Sequence, residues 1–402
     1  MLRFPIYLDN HSTTKVDPRV LEAMLPYFTE NYGNAASKAH EFGWKAEAAV
    51  ELARKKIANL INSEPGEIIF TSGATESINL AIKGIAENYV SKGNQVITTP
   101  IEHKAGLDSY KSLEKKGYNI VYLNADKYGM TNPDELERAI NDKTILVSII
   151  LANNEIGTIN DIAEIGKICR EKKVLFHTDA TQAVGKIPVD AREMKIDLMS
   201  FSSHKMYGPK GIGALYISGK FPKIKLTPQI DGGGHEKGLR SGTLNVPAII
   251  GFGKACEINK KEMVSECNKI GELRDKLENA IIAKLDGVYL NGHPEKRLYN
   301  NLNLSFEGIE ADALIMSIKD IAVSSGSACS SATLRPSHVL KAIGLPDKLV
   351  KSSIRFGLGR FNTAEEIKYV INKVVEKVNN LRDISPAYSK ETDRKTPKGV
   401  RA

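Results

Sequence analysis

The sequence predicts an α/β protein, with a large domain built on a mostly parallel sheet and a smaller α/β C-terminal domain. Two observations predict it. Short apolar, β-rich runs alternate with helical patterns through the first 220 residues or so, and a long polar-amphipathic helix after Pro247 separates them from a second set of strands.

The strand-like runs are Ile68-Ile-Phe-Thr, Gln95-Val-Ile-Thr-Thr, Ile120-Val-Tyr-Leu, Thr144 to Ile150, Val174-Leu-Phe-His-Thr and Leu198-Met-Ser-Phe. Helical stretches lie between them at Thr75 to Val90, Lys104 to Lys116 and Ile162 to Lys172. The long helix runs from Pro247 to about Leu285. Strands follow near Asn301-Leu-Asn-Leu-Ser, Ile321-Ala-Val-Ser and Ser352-Ser-Ile-Arg-Phe, and a last helix covers Ala364 to Leu381. We expect residues 16–261 to form the large domain and residues 1–15 with 262–384 the small one. Residues 385–402 turn polar and basic, the composition of a disordered tail.

Bulk properties narrow the function. With 402 residues, 42% of them hydrophobic, the chain can bury a large core. No apolar run approaches the roughly 20 residues of a membrane helix, and the longest, Thr144 to Ala152, reads as a buried strand. A strand-like run begins at Ile6, leaving no room for a signal or transit peptide, so a cytoplasmic location is expected. The net charge of +8 raises nucleic acid as a partner, but basic residues are interspersed with acidic ones. The better reading is a solvated surface with a basic tail (Lys390, Arg394, Lys395, Lys398, Arg401) suited to an acidic protein partner. The four cysteines form no Cys-x-x-Cys pair, so neither a zinc site nor a disulfide framework is indicated, and a reducing compartment fits.

Several strands are followed by chemistry-bearing residues, where open α/β sheets bind ligands. In Phe201-Ser-Ser-His-Lys205-Met-Tyr-Gly-Pro-Lys-Gly-Ile-Gly, a lysine follows a strand beside His204 and precedes a Gly/Pro-rich turn. A Schiff-base lysine must lose its proton near neutral pH, which burial and cationic neighbours promote. Ser202 and His204 could donate to a phosphate. Asp179 ends an apolar run in His177-Thr-Asp179-Ala-Thr-Gln182. Alone it reads as a helix N-cap; with Lys205 downstream, a carboxylate facing a protonated pyridine nitrogen is the better reading. Phe70-Thr-Ser-Gly73-Ala74-Thr75 is a strand, a turn and a helix start, a ready phosphate site. The imidazole of His103, in Ile101-Glu-His103-Lys, could stack on a ring, and the amide of Asn154 could reach a ring oxygen or a substrate carboxylate.

Together, Ser-Gly-Ala-Thr75-Glu-Ser, Glu-His103-Lys, Asn154-Glu-Ile-Gly, Asp179-Ala-Thr-Gln182, Ser-Ser-His-Lys205 and Gly-Pro-Lys-Gly-Ile-Gly resemble the pyridoxal 5'-phosphate (PLP) site of the cysteine desulfurases of the IscS/NifS type. These are class V aminotransferase-like enzymes of PLP fold type I. The resemblance runs from Tyr7 to about Pro386. It departs from the family at Ser12-Thr-Thr-Lys15, where Ala-Thr-Thr-Pro is expected, and in the tail.

The resemblance implies roles. Lys205 is the Schiff-base lysine and proton shuttle. Asp179 pairs with the pyridine nitrogen and Gln182 with the ring hydroxyl. Ala74, Thr75, Ser202 and His204 hold the phosphate. His103 stacks on the ring and assists proton transfer, while Asn154 contacts the ring or the substrate. Thr243, in Arg240-Ser-Gly-Thr243, reaches the neighbouring subunit's phosphate, which implies a homodimer. Arg355 clamps the substrate α-carboxylate, for which its planar fork is suited.

The cysteines point to the reaction. Cys169, Cys256 and Cys267 fall on apolar helical stripes and read as inert. Cys329 sits in Ser324-Ser-Gly-Ser-Ala-Cys329-Ser-Ser-Ala, small residues without apolar periodicity, and resembles the sulfur-carrying loop of the family. By that resemblance its thiolate attacks the sulfur of L-cysteine, leaving alanine and a persulfide. The persulfide would pass to an iron–sulfur scaffold protein, to tRNA-thiolation enzymes or to sulfur-relay proteins. The resemblance implies no intrinsic metal, although Cys329 could transiently share a cluster with a scaffold. The alternatives are a selenocysteine lyase or a class V aminotransferase on the same scaffold, and, in another class, a non-catalytic binding protein.

Overall fold

The computed structural model describes residues 2–219, 223–325 and 336–385. Cys329 and the basic tail lie outside them. The chain divides into two compact units, one of Thr13–Asn154 with Thr158–Ser265 and the other of Met1–Ser12, Glu155–Gly157 and Glu266–Ala402.

Strands are numbered along the chain; β1 (Ile6–Tyr7) belongs to the second of these units. The first unit holds β2 (Ile68–Thr71), β3 (Gln95–Thr98), β4 (Asn119–Tyr122), β5 (Thr144–Ser148), β6 (Leu175–Asp179), β7 (Leu198–Ser202) and β8 (Gly213–Ile217). They form one seven-stranded sheet in the order β2-β8-β7-β6-β5-β3-β4. β4 to β7 pair in parallel through β3, whereas β8 runs antiparallel to both β7 and β2. β2, β3, β5 and β7 are buried at every position, which a sheet covered on both faces requires. β4 lies at the edge and is partly exposed throughout.

Helices Ala74–Tyr89, Lys104–Glu114 and Ile162–Glu171 connect these strands. The first packs Ile78, Ala81, Ile82 and Ile85 against Ile69, Val96, Leu146, Leu198 and Leu215 of the sheet. The third buries Cys169 with Ile162, Ile165 and Ile168, as its spacing predicts.

β8 has no counterpart in the sequence reading. Its sequence, Gly-Ala-Leu-Tyr-Ile, starts with small residues straight after a Gly/Pro turn. The structure gives the reason for the first of them. A Cβ on Gly213 would lie 2.7 Å from Gly73 Cα, so only glycine lets this strand pass the turn that precedes helix Ala74–Tyr89.

In the second unit β9 (Val288–Leu290), β10 (Asn301–Phe306), β12 (Ser324–Ser325) and β13 (Ser353–Gly357) form an antiparallel sheet in the order β12-β13-β10-β9. β1 pairs in parallel with β11 (Ile321–Ala322). The single strand expected over Ile321-Ala-Val-Ser is thus two short ones in different sheets. Helix Ala364–Asp383 starts at a capping box of Thr363 and Glu366. Its Ile367, Val370, Val374 and Val378 share a core with Leu302, Leu304, Ile354 and Phe356. Helix Val246–Lys284, 39 residues long, matches the predicted one closely. No described helix is long and apolar enough to cross a membrane.

Candidate active site

The candidate residues of the first unit, except Thr243, lie at or follow the ends of its strands. Asp179 closes β6 and Ser202 closes β7, with His204 and Lys205 in the 3-10 turn that follows. β2 leads through Ser72 and Gly73 into Ala74 and Thr75, the first residues of helix Ala74–Tyr89. Gly73 is the N-cap at φ 156° and provides no side-chain cap. The amides of that first turn are therefore not capped by a side chain, as an anion site at a helix start needs. A Cβ on Gly73 would lie 3.8 Å from Ser202 Oγ, so the turn and the end of β7 are neighbours. Thr75 is exposed and Ser202 buried.

His204 is held neutral. Burial first, then Lys205, Lys210 and Lys186, push its imidazole down to about 4. Its Nδ1 lies 3.1 Å from Thr13 Oγ1. Three lysines around one imidazole form a basic cluster at the end of β7, and such a cluster suits an anionic occupant.

Asp179 is 6% exposed, and its Oδ1 accepts from the backbone amide of Thr181 at 2.9 Å. No helix follows Asp179, so this contact is a local Asx-type turn and not the helix N-cap weighed in the sequence, and it occupies only one carboxylate oxygen. Gln182 is buried, and its Oε1 accepts from Lys186 Nζ at 2.7 Å. Thr181 Oγ1, buried between these two residues in sequence, has no hydrogen-bond partner among the described residues.

His103 is the N-cap of helix Lys104–Glu114; its Nδ1 accepts from Ala105 N at 3.1 Å, which fixes the ring and leaves Nε2 as the other polar edge. Asn154 is buried, and its neighbour Asn153 donates to the Ile101 carbonyl at 2.9 Å. That bond ties the loop after β5 to the segment carrying His103. Thr243 is exposed. Its loop is held by Arg240 Nε donating to Glu76 Oε1 at 2.9 Å.

Arg355 belongs to the second unit. It is 1% exposed and donates through Nη2 to Asp9 Oδ1 and to Ser12 Oγ, both at 2.9 Å. The Asp9 partnership was not foreseen.

Three further residues escaped the sequence reading although each lies inside or beside a quoted motif. Glu102 accepts from Thr99 Oγ1 at 2.7 Å and Ile150 N at 2.9 Å. Burial, with Asp179 adding to it, raises its carboxyl to about 8. His177 sits within a chain of buried side chains, and Lys186 is a buried cation. Burial is what marks these residues, and no local pattern in the sequence reports it.

The class-V aminotransferase family matches residues 6–370 of this chain. A cysteine desulfurase IscS of Anaeromyxobacter dehalogenans is 54% identical over 392 residues, covering 98% of this chain and 97% of the relative. A solved NifS-like protein superposes with a TM-score of 0.87 at 39% identity, covering 93% of this chain and 99% of that one. A structure described as SspA in complex with cysteine superposes with a TM-score of 0.78 at 36% identity, covering 89% and 100%.

Proposed function

We propose a function from one premise: the chain belongs to the class-V aminotransferase family and, within it, to the cysteine desulfurases of the IscS type. Its fold is that of the fold-type-I PLP transferases. The proposed reaction takes L-cysteine and the Cys329 thiol to L-alanine and a Cys329 persulfide. The carbon–sulfur bond of the substrate breaks as the sulfur–sulfur bond forms. The electron pair left on the substrate carbon is taken up by a proton, so atoms and electrons balance.

The observation that carries the reading is the basic cluster of His204, Lys205, Lys186 and Lys210 beside an uncapped helix start, with Asp179 at the end of the adjacent strand. These groups fit PLP, an anionic phosphate and phenol on a ring whose nitrogen wants a carboxylate. PLP, when bound, supplies the electron sink. Lys205 Nζ would hold it covalently and carry the substrate proton. Asp179 would face the ring nitrogen and Gln182 the ring hydroxyl. The amides at Ala74 and Thr75, with Ser202 and His204, would take the phosphate. His103, oriented by its capping bond, would stack on the ring, and Asn154 would lie at its edge. Arg355 would bind the substrate carboxylate.

A homodimer is proposed on two grounds. Thr243 is exposed on a tethered loop, available to a second copy. Leu21, Leu25, Phe28, Tyr32, Phe42 and Trp44 form an exposed apolar series in one stretch of the chain, of the kind that marks a protein interface. The persulfide would go to an iron–sulfur scaffold protein, or to tRNA-thiolation or sulfur-relay proteins. A reaction that needs a free thiolate suits the reducing cytoplasm.

Cys329→Ser tests the reading. A serine hydroxyl cannot carry the sulfur. The variant is expected to keep the visible absorbance of bound PLP and to change it on adding L-cysteine, yet to release neither alanine nor sulfide. Mass spectrometry of the wild type after brief exposure to cysteine should place one added sulfur on the Cys329 peptide. Wild-type turnover by Cys329→Ser would overturn the desulfurase reading in favour of a reaction run by the cofactor alone.

A further inference from the structure

Lys186 belongs to the basic cluster above but is given no contact of its own there, although it is 3% exposed and donates to Gln182. Lysine is rarely buried to that extent unless its ammonium is satisfied. Its Nζ donates to Gln182 Oε1 at 2.7 Å, and Gln182 is also 3% exposed. Gly185 packs tightly between them in the chain. It sits at φ +80°, and a Cβ there would meet Met206 Cβ at 3.0 Å. The 182–186 turn is therefore fixed against the segment that follows Lys205.

The two ends of a glutamine amide differ in function: the oxygen accepts and the nitrogen donates two hydrogens. An ammonium only donates. A reversed Gln182 would set donor against donor, so Lys186 permits a single orientation. Oε1 faces the ammonium, and Nε2 with its hydrogens is turned away from it. The amide dipole then points its positive end in the same direction. Lys186 acts on the His204 imidazole together with Lys205 and Lys210, and Asp179, three positions before Gln182, closes β6.

We propose that Lys186 is a positioning residue of the cofactor site, which locks the Gln182 amide so that Nε2 donates to the ring oxygen of PLP and that oxygen is held as an anion. The proposal rests on the PLP reading above and deepens it. The cation behind the amide and the oriented dipole act in the same sense, because both favour negative charge on the oxygen.

The test is a pH titration of the visible absorbance of the holoenzyme, with thermal melts to verify folding. Lys186→Met keeps the stem and removes the donor. It should move the titration midpoint upward by about one pH unit or more, the scale on which a neighbouring charge acts. Lys186→Arg, still a donor-only cation, should stay close to wild type. Gln182→Leu should give the same upward shift, and the double variant no more than the larger single shift, because the effect runs through the amide. An unchanged midpoint in Lys186→Met overturns the proposal, and so do fully additive shifts in the double variant. If Lys186→Met does not fold, Lys186→Gln is read by the same criteria. A wild type that takes up PLP without any lysine-bound visible band would instead sink the parent reading, so the two failures are distinguishable.

Discussion

Under the proposed roles, replacement of Lys205 and of Arg355 should separate cofactor binding from substrate binding. Lys205→Ala should lose the visible absorbance of lysine-bound PLP together with turnover, as read by spectrophotometry and alanine release. Lys205→Arg should fail equally, because a guanidinium cannot serve as the deprotonated amine. Retention of the wild-type spectrum and rate by either variant would dismiss the assignment. Arg355→Ala should keep the cofactor absorbance while the KM for L-cysteine rises. Losing a charge-assisted pair costs on the order of 1.5–3 kcal/mol, roughly ten- to a hundredfold in affinity. The structure adds a second consequence. Asp9 loses its ion-pair partner in this variant, so the melting temperature should fall as well; unchanged KM and kcat would remove Arg355 from the substrate site. The position of Lys205 just past a strand end was legible, because the β-rich run before it and the Gly/Pro-rich turn after it are local in the sequence. The Asp9 pairing was not, because it joins residues 346 positions apart.

Across the strands of the first unit runs a chain of buried side chains. Tyr110 Oη donates to Ser148 Oγ at 2.7 Å, Ser148 Oγ lies 2.7 Å from His177 Nδ1, and His177 Nε2 lies 2.9 Å from Ser200 Oγ. It links helix Lys104–Glu114, whose N-cap is His103, to β5, β6 and β7. Burial pushes the His177 imidazole down from 6.5 to about 3. The native state therefore refuses a proton that the unfolded chain accepts. The stability this group contributes is complete above pH 6.5 and is lost as pH falls towards 3. The loss approaches about 1.4 kcal/mol per pH unit, one proton's worth. His204, depressed in the same direction, adds to it. His177→Asn should be less stable than wild type at pH 7.5, yet its unfolding free energy should fall less steeply between pH 6.5 and 4.5. Equal slopes in urea titrations would show that His177 takes its proton in the native state. The parallel strands and their helices were legible because continuous apolar runs and helical periodicity are local signals. β8 and β9 were not. The first begins with Gly213, imposed by the close approach of Gly73, and the second is a three-residue strand defined by its pairing with β10.

At the scale of the whole molecule, two segments carry opposite expectations. The tail from Ser389 onward has Val400 as its single bulky aliphatic residue and no cofactor motif, so its deletion should leave alanine release from L-cysteine intact; a strong loss would give the tail a role in the basal reaction. The apolar face should behave otherwise. Phe28 is 57% exposed and Trp44 55%, and Tyr32 stacks on Phe42 with ring centroids 5.2 Å apart. Aromatic side chains left this open to water favour burial against a second copy, since most of their area is apolar. A carboxylate placed among them would have to be desolvated in the interface, which is costly without a partner charge. Phe28→Glu combined with Trp44→Glu should therefore sediment as a monomer where the wild type is expected to sediment as a dimer. If Thr243 completes the phosphate site of the neighbouring copy, the monomer should also lose PLP on dialysis faster than wild type. Thr243→Ala separates the two effects: it should weaken PLP retention while the protein stays dimeric, because the exposed apolar residues are untouched. A charged variant that remains a dimer would exclude this face as the interface, and a monomer that keeps PLP as firmly as wild type would show that each copy completes its own site.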